Sequence, residues 1–229
     1  MIATSQIGGA HNLTASLAVL IYEDHEQAFA TIHSIEHRPM SRPELGPGRC
    51  LTRDCLGELV RKMAGTSAVR EILPENVICN DGTLMAWIVL QHRRPIFIKG
   101  QAVNGVPVVH PNLLFVAESG KLRVFALTKC ERRPDLPIFR APYFNLSDNG
   151  LMCRGNALYP DRISVSDILR WEAAFFETLF THSNYRAKFT SHPQGHIGLW
   201  TYCADERISE FPNGYLVPAG FTLQEVLAT

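Results

Sequence analysis

The residues best suited to chemistry in this sequence are Asn145 and Cys153, eight positions apart across a loop rich in Ser, Asp, Asn and Gly. A thiolate attacks an activated carbonyl and keeps the acyl group as a thioester for a later acceptor. When an amine attacks that thioester, an oxyanion develops that an amide N–H can stabilise. Losing one such donor typically costs about 3 kcal/mol of transition-state stabilisation. Asn145 would either supply that donor or hold the loop through Asx-type hydrogen bonds. The competing reading of Cys153 is a small buried hydrophobe. Gly150 before it and Arg154-Gly155-Asn156 after it argue against deep burial.

Two further sets of side chains are candidates. Asp148 is placed to orient an incoming amine, although Asp in an Asp-Asn-Gly turn usually serves the turn. His192 and His196 lie in a Gly/Pro loop that would have to fold back over the thiol to act as an acid–base group. Trp171, Trp200 and the cysteines other than Cys153 are expected to pack.

The elements that must position the loop follow from periodicity. Residues 17–22 and 28–35 read as strands of a hairpin across Glu23-Asp24-His25-Glu26. Residues 38–48 contain three prolines and two glycines and read as a connector. Thr52 is an N-cap candidate for a helix carrying Leu56, Leu59, Val60 and Met63 up to Gly65. Strand character then returns at 77–79, 84–90, 96–98, 113–117 and 122–127, with Asn80-Asp81-Gly82 and Glu118-Ser119-Gly120-Lys121 as turns. Consecutive hairpins make an antiparallel meander, and Pro134, Pro137 and Pro142 keep the next stretch extended.

From Ser164 or Ser166 as N-cap, residues Ile168, Leu169, Phe175, Phe176, Leu179 and Phe180 form a wide apolar stripe, with Glu172 and Glu177 away from most of it. Residues from 186 onward are punctuated by Gly and Pro and end in a short helix over 222–227. The fold class is therefore α+β, an antiparallel meander flanked by helices. Residues 1–49 form an N-terminal hairpin and connector packed on the core, 50–185 the core, and 186–229 a C-terminal extension.

Composition narrows the function. The 229 residues, 46% apolar, suffice for one elaborated domain. Lys plus Arg and Asp plus Glu are balanced at 22 each, without a run of like charge, which argues against a nucleic-acid surface. The apolar run 17–22 is too short to cross a bilayer, and the first residues lack a basic leader, so a cytoplasmic protein is expected. The six cysteines are scattered without C-x-x-C spacing, which favours reduced thiols over structural zinc.

The order helix, meander, Pro-rich segment, Asn-loop-Cys and amphipathic helix resembles the ubiquitin-conjugating enzyme fold over roughly residues 50–185. In that family a His-Pro-Asn motif precedes the active cysteine by the interval between Asn145 and Cys153. Tyr143-Phe144-Asn145 stands at that motif, and Thr181-His182-Ser183-Asn184 looks like the usual Asn-containing end of the following helix. A closer similarity is to the bacterial family PRTRC system protein B, carried by Arg140-Ala141-Pro142-Tyr143-Phe144-Asn145, Gly150 and Cys153, and by residues 168–176 with their Trp171-Glu172 pair.

The resemblance implies a transferase that takes a small ubiquitin-like protein as a thioester on Cys153 from a ThiF-type activating enzyme and passes it to an amine. A JAB-type peptidase belongs to the same system. It also implies that Tyr143 replaces a loop-bracing histidine. No cofactor is expected, since the chain has no Gly-rich phosphate loop. The rivals are a non-catalytic module that binds the ubiquitin-like protein and a cysteine hydrolase using Cys153 with His192 or His196. A literal His110-Pro111-Asn112 also occurs. Gly120 stands eight residues after its Asn, so it is expected to be a turn before the strand 113–117, without a catalytic role.

Overall fold

Runs rich in Val, Ile, Leu and aromatic residues pair as antiparallel strands wherever Gly, Asn, Asp or Pro turns separate them. The structure, a computed structural model, describes residues 14–23, 28–37, 42–52, 55–57, 71–118 and 120–228. Contacts divide the chain into two compact units, residues 1–70 and 71–229.

In the first unit, β1 (Leu17–Glu23) and β2 (Ala28–Glu36) form the expected hairpin, with Tyr22 opposite Phe29 and their rings stacked at 4.7 Å. The expected connector is corrected: Glu44–Cys50 is β3, a third strand on the free edge of β2. An edge strand tolerates Pro47 because one side of its backbone needs no ladder partner. Gly46 and Gly48 leave room for Ser34 and His33; a Cβ on Gly48 would stand 2.6 Å from the His33 ring. His33 Nδ1 donates to the Gly46 carbonyl at 2.9 Å. Thr52 does cap a helical start, accepting from Cys55 N–H at 3.3 Å. The rest of the expected helix, with Leu59, Val60 and Met63, lies outside the described residues, as does the turn over 24–27.

The second unit holds a six-stranded sheet. Its strands are β4 (Val77–Asn80), β5 (Leu84–Val89), β8 (Asn112–Glu118), β9 (Lys121–Leu127), β10 (Pro137–Arg140) and β11 (Pro218–Thr222), in the order β11-β10-β9-β8-β5-β4. β4, β5, β8 and β9 make hairpins of the expected meander, and β10, where only an extended stretch was expected, adds a further strand beside β9. Between β5 and β8 the chain leaves it for a two-stranded ribbon of β6 (Arg93–Ile96) and β7 (Val106–Val109), so the meander strand expected at 96–98 is corrected to β6, which ends at Ile96 and pairs outside the six-stranded sheet. Residues 186–228 supply α2 (Gly195–Cys203), β11 and α3 (Leu223–Leu227) to this unit. Thr222 and Glu225 close a capping box at the start of α3.

The central strands are buried on both faces, so they read as continuous apolar runs. Leu113, Phe115 and Ala117 of β8 face the larger core with Trp87, Tyr143, Phe175 and Trp200, whereas Leu114 and Val116 face a smaller one with Phe125, Ile138, Leu223 and Val226.

The main helix is shorter than its apolar stripe suggests. A 3-10 turn over Val165–Asp167 leads into α1 (Ile168–Phe176). Ser164 Oγ donates to Asp167 Oδ2 at 2.9 Å and does not cap a backbone N–H. Ile168, Trp171, Phe175 and Phe176 are buried, but Leu169 is 77% exposed. Phe180 is buried beyond the helix end, where it bridges Ile98 in parallel. Glu172 turns inward and accepts from Trp87 Nε1 at 3.1 Å, and burial raises its pKa.

Candidate functional site

At the end of β10 the chain turns off the sheet. Tyr143 N–H donates to the Ala141 carbonyl at 2.8 Å, a tight turn over Pro142, and the Pro142 carbonyl accepts from Trp200 Nε1 at 3.0 Å. The turn drives the Tyr143 side chain into the core. It is fully buried, with ring centroids 4.9 Å from Phe175, 5.0 Å from Trp200 and 5.2 Å from Phe180. Burial holds its phenol well above the ordinary tyrosine range, so it stays protonated.

Asn145 sits two residues on with φ 63°, alone among the described non-glycine residues in the left-handed region. Asn tolerates that conformation better than most residues. Its backbone N–H donates to the His182 carbonyl, and its own carbonyl accepts from Cys153 N–H, both at 2.8 Å. The carboxamide oxygen accepts from Thr181 N–H and Thr181 Oγ1 at 3.0 Å, and Nδ2 donates to the Leu179 carbonyl at 3.0 Å. The residue is 7% exposed.

Between them runs a small hairpin. Leu146 bridges Met152, Ser147 N–H donates to the Leu151 carbonyl at 3.1 Å, and Gly150 N–H closes a turn onto the Ser147 carbonyl at 2.8 Å. Gly150 has φ 76°, and a Cβ there would meet the Phe125 ring at 2.6 Å, so both backbone and space require glycine. The outgoing strand lies along β9: Val124 N–H donates to the Gly150 carbonyl and Met152 N–H to the Leu122 carbonyl, both at 2.9 Å. It continues along the edge of β9 where β10, paired at Ala126 and Phe125, leaves off.

This hairpin delivers Cys153 to the surface, where the residue is exposed. Arg154 Nε donates to the Ala157 carbonyl at 3.3 Å, and its guanidinium lies 5.2 Å from the centre of the Tyr159 ring. Tyr159 packs on Trp171 at 5.0 Å, and burial pushes its phenol up to about 12.

The other candidates have structural partners. Asp148 Oδ2 accepts from Arg186 N–H at 3.2 Å, and Oδ1 lies 3.7 Å from Arg140 Nη2. Arg140 Nη1 donates to the Lys188 carbonyl at 2.8 Å, and Tyr185 O–H donates to the Ala141 carbonyl at 2.9 Å. Segment 181–188 therefore flanks the loop on the side away from β9. His192 is buried, with Nδ1 accepting from Gln194 N–H at 3.2 Å and its ring 4.7 Å from Tyr215. The His196 ring lies 4.0 Å from that of Phe144, with Nε2 3.0 Å from the Pro142 carbonyl oxygen. Burial lowers its pKa to about 4. Among the described residues no hydrogen bond joins either imidazole to the Cys153 thiol. Trp171 and Trp200 are fully buried, as expected. Cys203 is buried too, but Cys50 and Cys130 are exposed and do not pack as expected.

The sequence placed His110 in a turn without foreseeing its burial. It lies in the expected link before β8, but it is 1% exposed and its Nδ1 lies 2.7 Å from Tyr143 Oη, a buried contact that was not expected. No local signal marks it, since the Pro111-Asn112 that follows His110 reads as a turn.

Among the described residues no group of three or more His, Cys, Asp or Glu could hold a metal ion, and no helix is long and apolar enough to cross a membrane. The family model described as Prokaryotic E2 family D matches residues 55–219. No curated protein and no solved structure matches the chain.

Proposed function

Because the chain belongs to prokaryotic E2 family D, we propose that it adopts a ubiquitin-conjugating-like fold and works as an acyl carrier, with Cys153 as its nucleophile. The Cys153 thiolate attacks the thioester carbonyl of a ubiquitin-like protein held on an activating enzyme. The carbon–sulfur bond to that enzyme breaks, its cysteine leaves as thiolate, and the acyl group rests on Cys153. An amine then attacks the new thioester, loses a proton, and expels the Cys153 thiolate.

The observation that carries this reading is the exposed position of Cys153 at the end of a hairpin tied back to Asn145. The alternative of a buried filler does not account for an exposed thiol. Of the two roles for Asn145, its bonds to Leu179 and Thr181 favour loop support. The hydrogen bond from Arg186 N–H and the ion pair with Arg140 favour the same structural role for Asp148. The hydrolase alternative needs a base on the thiol, whereas His192 Nδ1 accepts from Gln194 N–H and His196 Nε2 lies against Trp200 Nε1 and the Pro142 carbonyl.

Within the family, the run from Arg140 to Asn145 with Gly150 and Cys153 supports assignment to PRTRC system protein B. The partners on that assignment are a ThiF-type activating enzyme, a small ubiquitin-like protein and a JAB-type peptidase that would undo the conjugate. ATP is consumed by the activating enzyme, and this chain needs no cofactor. Mixing the chain with such an activating enzyme, ATP and the ubiquitin-like protein tests the reading by gel. The carrier gives an adduct that reducing agent removes, and a lysine acceptor then becomes modified. Binding without an adduct would instead indicate the non-catalytic module. Release of free ubiquitin-like protein from conjugates, dependent on His192 or His196, would indicate the hydrolase.

A further inference from the structure

The two nitrogens of the His110 ring have different neighbours. Nε2 lies 3.1 Å from the Arg94 backbone carbonyl oxygen, which can only accept, and Nδ1 lies 2.7 Å from Tyr143 Oη. A neutral ring that satisfies both must carry its hydrogen on Nε2, so Nδ1 accepts and Tyr143 O–H donates. The pair is closed off from water: His110 is 1% exposed and Tyr143 0%. Ring contacts to His92, Phe176 and Trp200 surround the imidazole.

A phenol that fills the core through packing alone could rotate or slide. This one is fixed at its tip by His110 and at its backbone by the turn onto Ala141. Two residues later come the bonds of Asn145, one of which holds Cys153. A displacement of the Tyr143 ring is therefore passed, through two peptide units, to the anchor of the cysteine loop.

We propose that His110 is the positioning residue of the Cys153 loop, its buried Nδ1 holding the Tyr143 hydroxyl so that Asn145 and Cys153 keep their register. The literal His-Pro-Asn thus acts by holding a different segment, not by lining the thiol. As far as it concerns transfer, this role rests on the acyl-carrier reading. The register of the loop does not.

The test is amide hydrogen exchange at Asn145 and Cys153, with rescue by a conservative variant. His110→Leu keeps the volume but removes the acceptor. His110→Asn can return an oxygen near the place of Nδ1. Tyr143→Phe keeps the packed ring and removes the donor, and it serves if His110→Leu does not fold. The expected result is exchange at Cys153 faster by about ten- to a hundredfold in His110→Leu and Tyr143→Phe, with much of the protection restored in His110→Asn. Where Cys153 is charged, transfer to lysine should slow in the same order, with kcat falling and KM unmoved. Unchanged exchange at Cys153 in folded His110→Leu or Tyr143→Phe would overturn the inference. So would His110→Asn behaving like His110→Leu. Exchange needs neither partner nor adduct, so it decides this point even where charging of Cys153 fails.

Discussion

The backbone N–H of Cys153 donates to the carbonyl of Asn145 across 2.8 Å, closing nine residues into a hairpin whose far side lies on β9. The same asparagine is bonded on its other side to Leu179, Thr181 and His182. One residue therefore joins the cysteine loop to the segment that follows α1.

That junction makes Asn145 sensitive in two separable ways. Asn145→Ala loses the side-chain bonds and places a less tolerant residue at φ 63°, for a cost of about 3 kcal/mol. Asn145→Gly loses the bonds but relieves the backbone, and should cost about 1 kcal/mol less. Denaturant unfolding of both variants checks this. An alanine variant as stable as the glycine variant would remove the backbone argument.

Gly150 is constrained by its neighbour as well as its dihedral. Gly150→Ala meets the Phe125 ring and also carries an unfavourable φ, together about 2–4 kcal/mol. Gly155→Ala is the control, with φ 49° but open space around the added carbon, and should cost about 1 kcal/mol. Comparable losses in the two variants would mean that the Phe125 contact does not matter.

Acid should weaken the protein through its buried imidazoles. Burial lowers the pKa of His110 from 6.5 to about 3 and that of His196 from 6.5 to about 4. The folded state thus binds fewer protons than the unfolded one. The associated stability is present above about pH 6.5 and is lost as pH falls, through about 4 for His196 and about 3 for His110. His110 is faced by the Tyr143 hydroxyl, the Arg94 carbonyl and the His92 ring, while the Arg94 guanidinium nearby opposes a second positive charge. Urea midpoints between pH 7 and 4 should fall for the wild type and fall less steeply for His110→Leu. Parallel pH profiles would contradict the assignment.

Legibility followed the range of the interactions. The meander was readable because β5, β8 and β9 are dense in β-formers and separated by turn residues, and the turn before Cys153 because Asp148-Asn149-Gly150 is a local turn signal, although the hairpin built on it was not foreseen. The strand β3 hid behind Pro47 and its flanking glycines, which an edge position tolerates. The helix α2 hid because Gly195 and Gly198 lower helix propensity and its apolar residues are not confined to one face. The bond between His110 and Tyr143 spans 33 residues and depends on where the β6–β7 ribbon places the start of β8. No local pattern encodes it.

The most direct measurement is the intact mass of the chain after incubation with a ThiF-type activating enzyme, ATP and its ubiquitin-like protein. The account predicts a gain equal to the ubiquitin-like protein less one water, reversed by thiol reductant. The gain should be absent in Cys153→Ala, whose stability should stay within about 0.5 kcal/mol of the wild type because the residue is exposed. Cys153→Ser should carry the same added mass as an ester that reductant leaves intact. An adduct that persists in Cys153→Ala, or none on the unsubstituted chain while the activating enzyme itself is charged, would contradict the account.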